Sequence, residues 1–150
     1  FRRVLFRSND WVHGTRPRLG MCTIPLEEAA RGALRALRKG EGIAILMDRP
    51  LQPGEGGVDI NFFGAPAHIP AGAATLAMRT GAPIVSCALV RLPDNTFRGM
   101  VQGPYYPNST GNLQEDIRNL TQQVMDGFAR WVEQYPEQWY MFRRMWPTEA

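Results

Sequence analysis

The residues best suited to chemistry are an adjacent acid and base, Asp48 and Arg49, in the stretch MDRPL. They follow an uninterrupted apolar run, Ile43 to Met47. In an open α/β sheet, ligands gather beyond the carboxyl ends of the strands. An acid and a guanidinium placed there can hold hydroxyls and a phosphate respectively. The competing reading is a loop salt bridge, or Asp48 accepting hydrogen bonds from backbone N–H groups in a turn. Chemistry alone leaves these two readings even.

A second candidate is TRPRLG, with Arg16 and Arg18. Alternate residues of an extended segment point the same way, so both could face one phosphate. The ordinary alternative is a solvated, charged entry to a strand. The two histidines, His13 and His68, have no evident partner nearby in sequence. A lone histidine is more often structural than catalytic. In the tail, Trp139, Tyr140, Phe142 and Trp146 stand among Arg143 and Arg144. That mixture suits the headgroup layer of an anionic membrane. A tail folded back over the sheet would instead bury the aromatics, and this is the reading favoured for Trp139. Generic motifs are absent. GEGG lacks a following Lys-Ser/Thr and is no phosphate-binding loop. There is no Gly-x-Ser-x-Gly and no zinc-ligand spacing.

The elements that must position these residues read as α/β. GMCTIP (Gly20–Pro25) suggests a short strand. PLEEAARGALRALRKG reads as a helix with Leu26, Ala30, Ala33, Leu34 and Leu37 on one face. Pro25, Glu27 and Glu28 suit its N-terminus, and Arg38, Lys39 and Gly40 suit its end. GIAILM (Gly42–Met47) has the continuous apolar character of a central parallel strand. This β-α-β order predicts a partial, mixed, mostly parallel sheet flanked by helices. VDINFFG reads as a short edge strand. PAGAATLAMRTG reads as a helix closed by Gly81, with Ala73, Leu76, Ala77 and Thr80 on its packing face. APIVSCALVRL reads as a buried strand. Asp94 and Asn95 turn it into TFRGMVQG as a hairpin partner. Asn112 with Glu115 resembles a capping box. It opens a long helix striped by Leu113, Ile117, Leu120, Val124, Phe128 and Trp131.

The bulk numbers fit one globular domain: 150 residues, 44% hydrophobic and 21% charged. No apolar run approaches the roughly 18 residues that span a bilayer. Cys22 and Cys87 read as reduced, buried thiols rather than a disulfide framework. The formal charge of +3 suggests an anionic partner until the opening FRRVLFRS is considered. With ordinary codons it back-translates to TTC AGA CGT GTG CTC TTC CGA TCT, the end of a widely used short-read sequencing adapter. Residues 1–8 therefore read as an artefact, and 9–150 as the C-terminal portion of a single domain cut at Asn9. Setting aside Arg2, Arg3 and Arg7 lowers Lys+Arg from 17 to 14, equal to Asp+Glu at 14. With no net charge, the case for nucleic-acid binding falls away.

The order of these segments carries a resemblance. RPRLGMCTIP, LRKGEGIAILMDRPL, GVDINFFGAPAHIPAGAATLAMRTGAPIV and YPEQWYMFRRMWP together resemble the C-terminal half of the bacterial lipid A biosynthesis acyltransferase family. That family includes lauroyl and myristoyl transferases and phosphatidylinositol mannoside acyltransferases. The resemblance implies a glycerolipid-acyltransferase-like fold with its N-terminal part missing. It implies transfer of a fatty acyl chain from acyl-CoA or acyl-carrier protein to a hydroxyl of a membrane glycolipid. The protein would touch the membrane peripherally at the cytoplasmic face of the inner membrane, and no bound cofactor or metal would be required. In the family, the histidine of a His-x4-Asp/Glu motif is the general base. No such motif stands here: five residues after His13 is Arg18, and five after His68 is Ala73. The expectation is that it lies upstream, that this piece is inactive alone, and that no catalytic residue can be named within it. The resemblance carries Asp48 and Arg49 over as the strand-end site, Arg16 and Arg18 as phosphate or headgroup contacts, and Asp59 as a further substrate-binding position. The Asp-Arg pair favours the mannoside branch. A glycerophospholipid acyltransferase would show EGTR where this chain has MDRP. A non-catalytic α/β module binding an anionic ligand is the reading from another class.

Overall fold

The computed structural model describes residues 14–51 and 55–146, apart from the side chain of Leu26. The adapter-like residues 1–8 and His13 lie outside the described residues. The chain divides into two compact units, Phe1–Gly42 and Ile43–Ala150.

In the first unit a 3-10 turn, Arg16–Leu19, is closed by Gly20 at φ 74°. A second 3-10 turn, Leu26–Glu28, leads into helix α1, Ala29–Arg38. The predicted helix is therefore present, but its first turn is tighter than expected. Of its predicted face, Ala33 is buried and Ala30 is exposed. Gly32 matters here, because a Cβ at that position would stand 2.6 Å from Cγ2 of Ile24. The absence of that carbon lets Ile24 pack on the helix.

The second unit contains hairpin β1–β2 (Val58–Phe62, Ala65–Ile69) and helix α2 (Gly72–Thr80). Hairpin β3–β4 (Ile84–Arg91, Phe97–Tyr105) and helix α3 (Leu113–Gln134) follow. Among the described residues both sheets have two strands, and both are antiparallel. The expectation of a mostly parallel sheet is thus corrected to mixed α/β with small antiparallel sheets. Gly20–Pro25 and Gly42–Met47 are not strands. A parallel strand needs a laterally bonded neighbour, and the apolar run finds none among the described residues. Leu46 is left 88% exposed. The Ile84–Arg91 strand alternates between more and less exposed positions rather than being buried on both faces. This is the pattern of an antiparallel sheet with one covered face. Cys22 and Cys87 are free but exposed, against the expectation of burial.

Helix α3 is the spine of this unit. Asn112 caps it, its Oδ1 accepting from the backbone N–H of Glu115 at 3.4 Å, as the capping box predicts. Toward its start, Ile117 and Leu120 pack on Ala74 and Ala77 of α2. The small alanines allow that close approach, although Ala74 rather than Ala73 faces inward. Toward its end, Met125 packs with Ile60, Phe62, Ala67 and Ile69 of the first hairpin and with Met145 of the tail. Phe62, 1% exposed, is the centre of an aromatic group. Phe128 stacks on it at 6.3 Å, and Trp139 meets it edge-on at 5.8 Å. Trp139 is half-buried, as the folded-back tail predicted.

Two glutamines finish open strand edges. Gln122 Oε1 accepts from Asn61 N, and its Nε2 donates to Asn61 O, both at 2.8 Å. Gln138 repeats the arrangement on Arg91, at 2.7 and 3.0 Å. Each side-chain amide stands in for a neighbouring strand and satisfies backbone groups at a strand edge.

The aromatic group yields the first prediction. Phe62→Ala should cost about 3–5 kcal/mol, since it removes the ring on which helix, hairpin and tail converge. Urea denaturation followed by circular dichroism would measure it, and a loss below about 1 kcal/mol would contradict this account of the core.

Candidate functional site

The first hairpin builds the site. Phe63 and Gly64, at φ 54° and 81°, make a tight turn of the twist that suits a two-residue hairpin. Asn61 Oδ1 accepts from Gly64 N at 3.0 Å and steadies it. The resulting register pairs Ile60 with Ala67 and Asp59 with His68. Directly opposed residues share a face. Ile60, Phe62, Ala67 and Ile69 therefore enter the core, while Asp59 and His68 meet on the outer side.

There Nδ1 of His68 lies 2.7 Å from Oδ1 of Asp59, and Nε2 lies 3.2 Å from the Glu55 carbonyl oxygen. Both neighbours are acceptors, so the ring satisfies both only as the doubly protonated imidazolium. The hydrogen bond to Asp59 is the main force raising the His68 pKa above its ordinary 6.5, and the Glu55 carbonyl adds to it. Partial burial opposes both. The pair resembles a catalytic dyad in composition. Yet a dyad needs a free basic nitrogen facing the substrate, and here the Glu55 carbonyl occupies it. His68 acts as a clasp that ties Glu55 to strand β2.

The same strand seats the Asp48–Arg49 loop. Leu51 N donates to His68 O at 3.0 Å, and Pro50 beside it is buried. Asp48 is half-buried and Arg49 exposed. Among the described residues the ion pairs are Glu28–Arg35 and Asp59–His68. Asp48 and Arg49 do not pair with each other, so the loop salt-bridge reading is not what the structure shows. The loop and the clasp crowd against Gly57, where a Cβ would come within 2.6 Å of Ile69 O and of Leu51 Cδ1. A cleft of about 330 Å³ opens next to this glycine. Val58, Gly72, Thr75 and Ile117 help to line it, and Arg79 supplies its charge.

Sequence reasoning singled out Asp48, Arg49 and Asp59; the structure ties the backbone of Leu51, which follows Asp48 and Arg49 in the loop, to the His68 carbonyl, and Asp59 to the His68 ring. It missed that His68 belongs with them. The nine-residue spacing between Asp59 and His68 becomes a direct contact only through a turn at Phe63–Gly64, which lacks the Asn-Gly or Asp-Gly signature. Arg16 and Arg18 belong to the first unit and are exposed. They stand in a 3-10 turn rather than an extended segment. Residues two apart there project roughly 120° from each other, not side by side. Among the described residues no group of three His, Cys, Asp or Glu side chains could hold a metal ion, and no helix is long and apolar enough to cross a membrane.

The family model for bacterial lipid A biosynthesis acyltransferases matches residues 3–148. The chain belongs to that family. It is similar to the phosphatidylinositol mannoside acyltransferase of Mycobacterium tuberculosis (strain CDC 1551 / Oshkosh), 29% identical over 136 residues. It is also similar to that of Mycolicibacterium smegmatis, 31% identical over 137 residues. Each alignment covers 87% of this chain but only 40% and 42% of those relatives. This lipid A acyltransferase-family chain thus spans well under half the length of the curated relatives it matches.

The clasp sets a pH-dependent prediction. A group whose folded pKa is raised stabilises the fold fully below its unfolded value and loses that effect as pH rises through its folded value. Stability conferred by His68 should therefore be complete below about pH 6.5 and decline above it. Asp59→Asn should remove roughly 0.5–1 kcal/mol at pH 6, a modest figure because the pair is solvent-screened. It should remove less at pH 9. Urea titrations at both pH values would test this, and an equal loss at both would contradict it.

Proposed function

We propose that the chain is part of an O-acyltransferase acting on a membrane glycolipid. The observation that carries this reading is the family match along almost the whole chain. The transferred group is a fatty acyl chain held as a thioester of coenzyme A or acyl-carrier protein. The acceptor hydroxyl loses its proton to a general base, its oxygen bonds to the thioester carbonyl carbon, and the carbon–sulfur bond breaks to release the thiol. In this reading Arg49 engages a phosphate of donor or acceptor, and Asp48 accepts from sugar hydroxyls. Arg16, Arg18 and Asp59 are further substrate contacts, with Asp59 already committed in part to His68.

His68 is not the base, because neither ring nitrogen is free. The base in this proposal is a histidine of a His-x4-Asp/Glu motif in the portion of the relatives' length that this chain does not span, so the chain alone is inactive. The relatives' names favour a phosphatidylinositol mannoside type of acceptor over a lipid A precursor, and so does the Asp-Arg pair at 48–49. The setting is peripheral, at the cytoplasmic face of the inner membrane, without a bound cofactor.

In a full-length enzyme containing this segment, Asp48→Ala and Arg49→Ala should each reduce kcat/KM for acyl transfer by on the order of a hundredfold. Melting temperature should be unchanged, since neither side chain bonds to a described residue. Transfer of radiolabelled acyl chains to purified glycolipid acceptors would measure this. Normal turnover in both variants would remove Asp48 and Arg49 from the site.

A further inference from the structure

We propose that residues Tyr140 to Arg143 form a docking platform that inserts two aromatic rings into the headgroup layer of an anionic bilayer. The proposal deepens the membrane part of the function above and rests on that part only for its biological setting. Its geometry stands by itself.

The tail divides its side chains sharply. Trp139, Met141 and Met145 turn inward and pack on the Phe62 cluster. Trp146 donates its indole N–H to the Phe62 carbonyl at 2.8 Å and stacks near the Phe62 ring at 6.4 Å. The segment is therefore bolted to the core before and after residues 140–143. Between those bolts, Tyr140 and Phe142 project outward, 76% and 91% exposed. Their rings stack on each other with centroids 6.5 Å apart. The core does not need them, since the inward-facing residues already close it.

Large apolar rings displayed on a rigid support mark an interaction surface. Charge decides its partner. Residues 138–146, QWYMFRRMW, contain two arginines and no acid. Arg143 is exposed and follows Phe142 directly in the chain. Aromatic rings flanked by arginine fit the boundary between lipid phosphates and acyl chains, where the ring sinks and the guanidinium meets phosphate. A covering protein segment would bury the rings without needing an exposed arginine next to them.

The test is sedimentation of residues 9–150, without the basic residues 1–8, with sucrose-loaded vesicles. One set is phosphatidylcholine alone, and the other contains about a third phosphatidylglycerol. Binding should be stronger to the anionic set and should weaken as salt is raised. Tyr140→Ser and Phe142→Ser should each lower partitioning on the order of tenfold, since each withdraws a buried ring. Arg143→Gln should lower it about fivefold on anionic vesicles only. Circular dichroism of each variant should match the parent, because these side chains lie outside the core. The proposal is overturned if the serine variants bind anionic vesicles as well as the parent does. It is also overturned if the parent ignores vesicles while the rings drive self-association in sedimentation velocity. The assay needs no acyl transfer, so its failure leaves the enzymatic proposal standing, and inactivity of the enzyme leaves this one standing.

Discussion

The register of the β1–β2 hairpin is the constraint on which the rest depends. Side chains alternate along a strand, so a slip of one residue would exchange its two faces. In the observed register Ile60, Phe62, Ala67 and Ile69 meet α3 and the tail, and Asp59 meets His68 outside. The slipped register would carry an aspartate and a histidine into the core. Burying an unpaired carboxylate costs far more than any gain the slip could offer. The hydrophobic pattern thus fixes the polar pair as firmly as it fixes the core.

From that register the site follows in steps. His68 O receives Leu51 N, which sets the end of the Asp48–Arg49 loop. His68 Nε2 meets the Glu55 carbonyl, which sets the far side of the same connection. One residue therefore bonds to both Leu51 and Glu55. Gly57 is the spatial consequence, since no larger residue fits between Leu51, Ile69 and His68. The tail contributes in the same economical way. Trp139 and Trp146 grip Phe62 from two directions, and the same segment presents Tyr140 and Phe142 outward.

The elements most legible in the sequence were those carried by local signals. Helix α3 announced itself through Asn112–Glu115 and a 3.6-residue apolar stripe, and α2 through its closing Gly81. The β3–β4 hairpin was legible from the turn at Asp94–Asn95, where Asn95 adopts φ 66°. What escaped depended on partners remote in sequence. Gly42–Met47 has the composition of a central strand, but composition cannot supply a neighbour to bond with. Strand β2 hid behind Pro66 and a turn at Phe63–Gly64 with no standard signature. Asp48 and Arg49 were candidates on their chemistry, and Asp59 only through the family resemblance. The role of His68 could not be named, because nine residues of separation become 2.7 Å only through the fold.

The central claim is that His68 is a charged clasp rather than a base awaiting substrate. Nitrogen-15 NMR of the imidazole across pH tests it most directly. The account predicts a titration midpoint above the ordinary 6.5, with both ring nitrogens protonated on its acid side, and a midpoint that drops toward 6.5 in Asp59→Asn. A His68 that titrates at or below 6.5, unmoved by Asp59→Asn, would contradict it.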